Sequence, residues 1–146
     1  MQGLRRPEHD MSVLELPLVK GLTTRHGMPV LHTLEQAGAG FVLLLLPSHS
    51  RIHLETPDLA AILPDLLQLG AASLQGAQPI GGAVADATLE AALVRNDGDI
   101  SLPALVLLEN GQVKTSISRM RDWETYVSRF GVIFASPATQ SGEPVA

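Results

Sequence analysis

The chain has 146 residues, 45% of them hydrophobic and 17% charged, so it is large and apolar enough for one folded domain and unlike a disordered chain. The formal charge is −5 and the ten Lys and Arg are scattered, which argues against nucleic acid as the main partner. Cysteine is absent, and with it go disulfides, thiolate nucleophiles, thiolate metal sites and dithiol redox chemistry.

Residues 1–20 mix charge, Pro and short apolar pieces, and are expected to form a partly flexible lead. Arg5-Arg6 resembles a twin-arginine export signal. However, Pro7-Glu8-His9-Asp10 is polar where such a signal needs an apolar stretch. The longest apolar run, Phe41 to Leu46, is far below the ~20 residues of a membrane helix. The protein is therefore expected in the cytoplasm. Residues 21–135 are assigned to one domain, and 136–146, small, polar and Pro-containing, to a flexible tail.

Within the domain, residues 28–36 are predicted as a short helix beginning near Pro29, with a break at 38–40. The stretch 41–46 shows no alternation, as expected of a strand covered on both faces. Thr56 offers a hydroxyl N-cap and Pro57 suits the first helical position. Leu59, Ile62, Leu63, Leu66 and Leu67 follow at helical spacing, with Pro64 inside the stripe and Gly70 as the expected stop.

Residues 79–85 form a weaker predicted strand, and Asp86 is placed to cap a helix through Leu93. A turn at 96–99 precedes a buried strand at 104–108. Asn110-Gly111 then predicts a type I′ hairpin turn, and 112–118 the returning strand. Behind an Asp122 cap, Trp123, Tyr126, Val127 and Phe130 place an aromatic face on a closing helix. The pattern amounts to two β-α-β crossovers, a hairpin and a final helix. That is an α/β fold, a mixed central sheet with helices on both faces.

This order resembles the thioredoxin fold. Pro64 inside the helix after the central strand and the run Leu102-Pro103-Ala104-Leu105 opening the hairpin carry the likeness. It implies a cis Leu102-Pro103 bond. It also places Thr56 and Leu59 about where two redox cysteines would stand, with a lengthened loop at 47–55 before them. Among thioredoxin-like proteins, the chain resembles the cysteine-free HyaE/HupG family of NiFe-hydrogenase expression proteins over roughly residues 28–133. The features are the "FVLLLL" strand, "PALVLLENG" and "RDWETYV". That resemblance implies a cofactor-free, non-catalytic chaperone. Its expected partner is the NiFe-hydrogenase small-subunit precursor, bound through the twin-arginine signal peptide before export.

Several residues are candidates for that or another role. His49 and His53, four apart, suggest a metal pair if helical, but Pro47 and Ser48 indicate a loop and no third ligand stands nearby. They are read as loop histidines, and no metal is expected. Ser48 and Ser50 lack a nucleophile elbow, and Gly81-Gly82 lacks the third glycine of a dinucleotide loop. Glu55 and Asp58 at one helix start, with Asp97 and Asp99 before the Pro103 loop, form the expected acidic edge for arginine side chains. Each also suits a plain helix-dipole or turn role. Leu59, Leu102 and Pro103, with Ile100, are expected to contribute an apolar contact. Residues 112–118 offer a sheet edge that Lys114 and Arg119 guard or a partner strand joins. The alternatives are a cysteine-free adaptor or oligomerisation module unrelated to hydrogenase, and an enzyme using the histidine loop.

Overall fold

A computed structural model describes residues 12–135. In chain order its longer elements are α1 (Pro17–Thr24), β1 (Val30–Leu31), β2 (Phe41–Leu46), α2 (Thr56–Leu74), β3 (Ile80–Ala85), α3 (Ala87–Asn96), β4 (Ala104–Glu109), β5 (Gln112–Ser118) and α4 (Trp123–Ala135). The sheet order is β1-β3-β2-β4-β5. β1, β2 and β3 run parallel, whereas β4 is antiparallel to β2 and β5 antiparallel to β4. This is the α/β, thioredoxin-like arrangement, and Leu102-Pro103 is cis.

β2 lies in mid-sheet and every one of its residues is buried, which is why the segment carries no polar alternation. Phe41, Leu43 and Leu45 meet α1, α2 and α4 through Val19, Leu22, Leu59, Leu63, Tyr126 and Phe130. Val42, Leu44 and Leu46 face the other way, onto Leu89, Leu93 and Ile100. Phe134 closes the first layer edge-on against Phe41, ring centroids 5.2 Å apart.

Several local expectations hold. Pro64 sits inside α2, and Asp86 caps α3 by accepting from the Leu89 amide at 2.9 Å. Asn110 and Gly111 both have positive φ, as a type I′ turn requires. Asp122 accepts from the Thr125 amide at 3.0 Å. At Gly82 a Cβ would come within 2.8 Å of Met28 Sδ and 2.9 Å of Leu67 Cδ1, so that glycine relieves crowding.

Others are corrected. Residues 28–36 are not one helix. Pro29 and Leu31 instead accept from Val84 and Asp86 amides as an edge of the sheet, and a 3-10 turn follows at Leu34–Ala37. α1 was not anticipated. Pro17 starts it and Val19 and Leu22 bury one side, so it straddles the boundary drawn at residue 20. α2 runs past Gly70 and ends at Gln75, which takes the left-handed conformation. Of the two expected crossovers β2-α2-β3 is parallel, but β3-α3-β4 is not, because β4 returns antiparallel. Trp123 is 44% exposed, and the buried face of α4 is Tyr126, Phe130 and Phe134 instead.

Candidate binding face

The loop 47–55 joins β2 to α2, and side chains from distant elements hold it at both ends. Thr56 does not cap α2. It is the first helical residue, fully buried, and its hydroxyl donates to the Pro47 carbonyl at 2.8 Å. Ser48 has φ of 78°, unusual for a residue with a Cβ, and its hydroxyl donates to Arg51 O at 2.7 Å. That turn aims two amides at Glu90 of α3. Ser48 N–H donates to Oε1 at 2.8 Å and His49 N–H to Oε2 at 2.7 Å. Glu90 is only 3% exposed. The His49 ring adds a bond from Nε2 to the Ala85 carbonyl at 2.7 Å.

At the other end Glu55 binds the segment after β5. Arg119 donates from Nε to Oε1 at 3.1 Å and from Nη2 to Oε2 at 3.3 Å, and the Met120 amide donates to Oε1 at 2.9 Å. The Met120 N–H and then the Arg119 guanidinium hold the Glu55 carboxyl below its ordinary pKa. Between the two ends the loop displays Ile52, 53% exposed, and Leu54, 92% exposed.

The remaining predicted residues distribute as follows. Asp58 is exposed in the first turn of α2. Leu59 is fully buried in the core and lines no groove. Asp97 and Asp99 are exposed on a cleft of about 730 Å³, but Arg119, Arg121 and Arg129 line the same cleft, so the edge is mixed in charge rather than acidic. Asp97 Oδ1 also accepts from the Asp99 amide at 3.0 Å, a turn role. Pro103 is buried, while Leu102 is half-buried on a second cleft. His53 accepts a long 3.4 Å bond from the Glu55 amide, and His49 is spoken for by Ala85. Among the described residues, no group of three or more His, Asp or Glu side chains converges for a metal.

The second half of the outer edge of β5 is covered. Arg121 Nε donates to Ser118 O at 2.9 Å, and Arg129 Nη2 to Ser116 O at 3.0 Å and Thr115 Oγ1 at 3.2 Å. Arg121 and Arg129 therefore guard this part of the edge, whereas Arg119 turns to Glu55, and a strand added there would have to displace the first two.

The second cleft, of about 420 Å³, lies beside the Leu102-Pro103 loop. Ala87, Ala91, Val94 and Leu102 form its walls, Glu90 contributes from α3, His49 and Ser50 from the loop, and Arg95 is the exposed charged residue among its lining. Sequence reading missed Glu90. Its signal was position: on α3 it falls between Leu89 and Leu93, on the buried stripe of the helix, where a charged residue is out of place.

Comparison with known proteins completes the picture. The family model described as "Hydrogenase-1 expression protein HyaE" matches residues 18–126. The hydrogenase expression/formation protein HupG of Rhodobacter capsulatus is 32% identical over 125 residues, covering 82% of this chain and 86% of the relative. That of Bradyrhizobium diazoefficiens is 30% identical over 134 residues, covering 92% and 84%. The chain belongs to the HyaE/HupG family of hydrogenase expression proteins. Among solved structures, the short form of spinach chloroplast thioredoxin F is similar at a TM-score of 0.46 and 13% identity, covering 73% of this chain and 93% of that one. At the start of α2 the Thr56 hydroxyl turns inward to the Pro47 carbonyl, and the chain contains no cysteine. No helix among the described residues is long and apolar enough to cross a membrane.

Proposed function

We propose that this protein is a non-catalytic, cytoplasmic chaperone of NiFe-hydrogenase maturation that binds the twin-arginine signal peptide of the small-subunit precursor before export. One observation carries the reading: in a member of a hydrogenase expression family, the thioredoxin-like face has no thiol. The loop there is instead tied down at both ends while holding Ile52 and Leu54 out to solvent. A face built this way suits recognition, because an ordered loop loses little further entropy when a partner covers it.

The signal peptide offers a basic segment followed by an apolar one. Asp58, Asp97 and Asp99, all exposed, are the carboxylates assigned to the basic part, and Leu102, on the wall of the second cleft and next in the chain to the buried Pro103, is assigned a contact with the apolar part. Glu55 acts through its bond with Arg119, and Leu59 supports α2 from below.

The test is titration of the full chain with a synthetic twin-arginine peptide, followed by fluorescence of its single, exposed tryptophan, Trp123, and by calorimetry. Saturable binding that weakens with salt is expected, because exposed charge contacts are screened. Equal binding by a peptide with both arginines changed to glutamine would sink the basic-segment reading. In cells, recovery of the small-subunit precursor with the tagged protein is expected.

A further inference from the structure

We infer that the cleft between α3 and the Leu102-Pro103 loop seats one basic side chain of the bound segment, arginine for preference, with Glu90 as its counter-charge. The inference rests on the peptide-binding reading above and adds a buried carboxylate, Glu90, to the exposed ones assigned there to the basic segment. Glu90 is 3% exposed, and each of its oxygens accepts one backbone N–H. A carboxylate has about four acceptor sites, so roughly half its capacity remains. Among the described residues, no Lys, Arg or His side chain forms an ion pair with it. A buried carboxylate without a cation is costly, and an incoming cation is what relieves the cost.

The cleft that Glu90 borders has the right walls for such a guest. Ala87, Ala91 and Val94 follow one another at i, i+4 and i+7 along α3, with Leu102 opposite. The two alanines leave room where longer side chains would fill the 420 Å³. Apolar walls over a single carboxylate match a basic side chain flanked by apolar residues. A guanidinium suits the place better than an ammonium, being planar and more weakly hydrated. Arg95, exposed in the lining and in no ion pair among the described residues, gives the site a handle of known sign.

The experiment uses the full chain and the twin-arginine peptide, with Glu90→Gln, Ala91→Arg and Arg95→Glu variants and circular dichroism as the fold check. Glu90→Gln should weaken binding about thirtyfold or more, as expected when one partner of a buried charge pair is lost. Ala91→Arg, which blocks the cleft from an exposed position, should weaken it at least as much. Arg95→Glu should tighten it severalfold. Repeating the Glu90→Gln titration with peptides carrying a single arginine-to-glutamine change separates charge pairing from loop support. The loss at Glu90 should vanish for one of those peptides and persist for the other. Binding by Ala91→Arg and Glu90→Gln within twofold of the unmodified chain overturns the cleft assignment while leaving peptide binding intact. So does a Glu90 loss that is the same for every peptide. If Glu90→Gln does not fold, Ala91→Arg and Arg95→Glu decide the matter alone. No binding by the unmodified chain overturns both readings together.

Discussion

The two ends of the 47–55 loop are held by the same residue type in opposite ways. At its start the loop gives amides to Glu90, a buried side chain of α3 more than 40 residues away that forms no ion pair among the described residues. At its end the loop's own Glu55, about one-third exposed, reaches out to Arg119 and the Met120 amide. The first attachment depends on burial and on hydrogen-bond geometry that solvent cannot replace. The second is an ion pair in contact with water, screened by salt and conditional on protonation. One end is thus permanent while the other can be loosened, and Ile52 and Leu54 lie between them.

Removing the buried end should have the largest effect. Glu90→Ala strands the buried Ser48 amide, an unsatisfied donor that costs about 1–3 kcal/mol, and the part-buried His49 amide, which costs less. The urea midpoint should fall accordingly, by an amount that is the same at low and high salt. A deficit that shrinks with added salt would mean that Glu90 acts chiefly as a charge. Thr56→Val should come next, at about 1–2 kcal/mol, since it leaves the Pro47 carbonyl without its buried hydroxyl partner. Thr56 is common ground for both ends, because it ties the last residue before the turn to the first residue of α2. Its loss should therefore speed amide exchange along the whole loop, whereas Glu90→Ala should act mainly at Ser48 and His49.

How far the sequence makes this legible depends on whether a contact is local. The uniform apolar run of β2, the Asn110-Gly111 turn, the Asp86 and Asp122 caps and Pro64 are decided within a few residues, and each was readable. β1 and α1 were not. A two-residue strand carries no periodicity, and the eight residues of α1 gain their helix by burying Val19 and Leu22 against the core. The site shows the same division. Glu55 was noticed as a helix-start acid, but its partner Arg119 lies 64 residues on and leaves no local sign. Trp123 looked like core because its spacing fits, yet the face it belongs to points partly to solvent. Glu90 alone left a trace, as a charge on an apolar stripe.

The exposed end should give the smallest and most condition-dependent effect. Arg119→Ala removes the guanidinium but leaves the Met120 amide, the larger cause of the lowered Glu55 pKa. A carboxyl whose folded pKa is depressed stabilises the fold above its unfolded value and loses that contribution as pH falls through the folded one. Acid unfolding of the unmodified chain should therefore draw partly on Glu55, together with Asp122. The Thr125 hydroxyl and then the Thr125 amide lower the latter. In Arg119→Ala the Glu55 share should shift to somewhat higher pH without disappearing. The stability gap between the variant and the unmodified chain at neutral pH should narrow in molar salt, where the pair is already screened. A gap of unchanged size in salt would mean that Arg119 contributes through packing of its stem, and that both ends of the loop are held by burial after all.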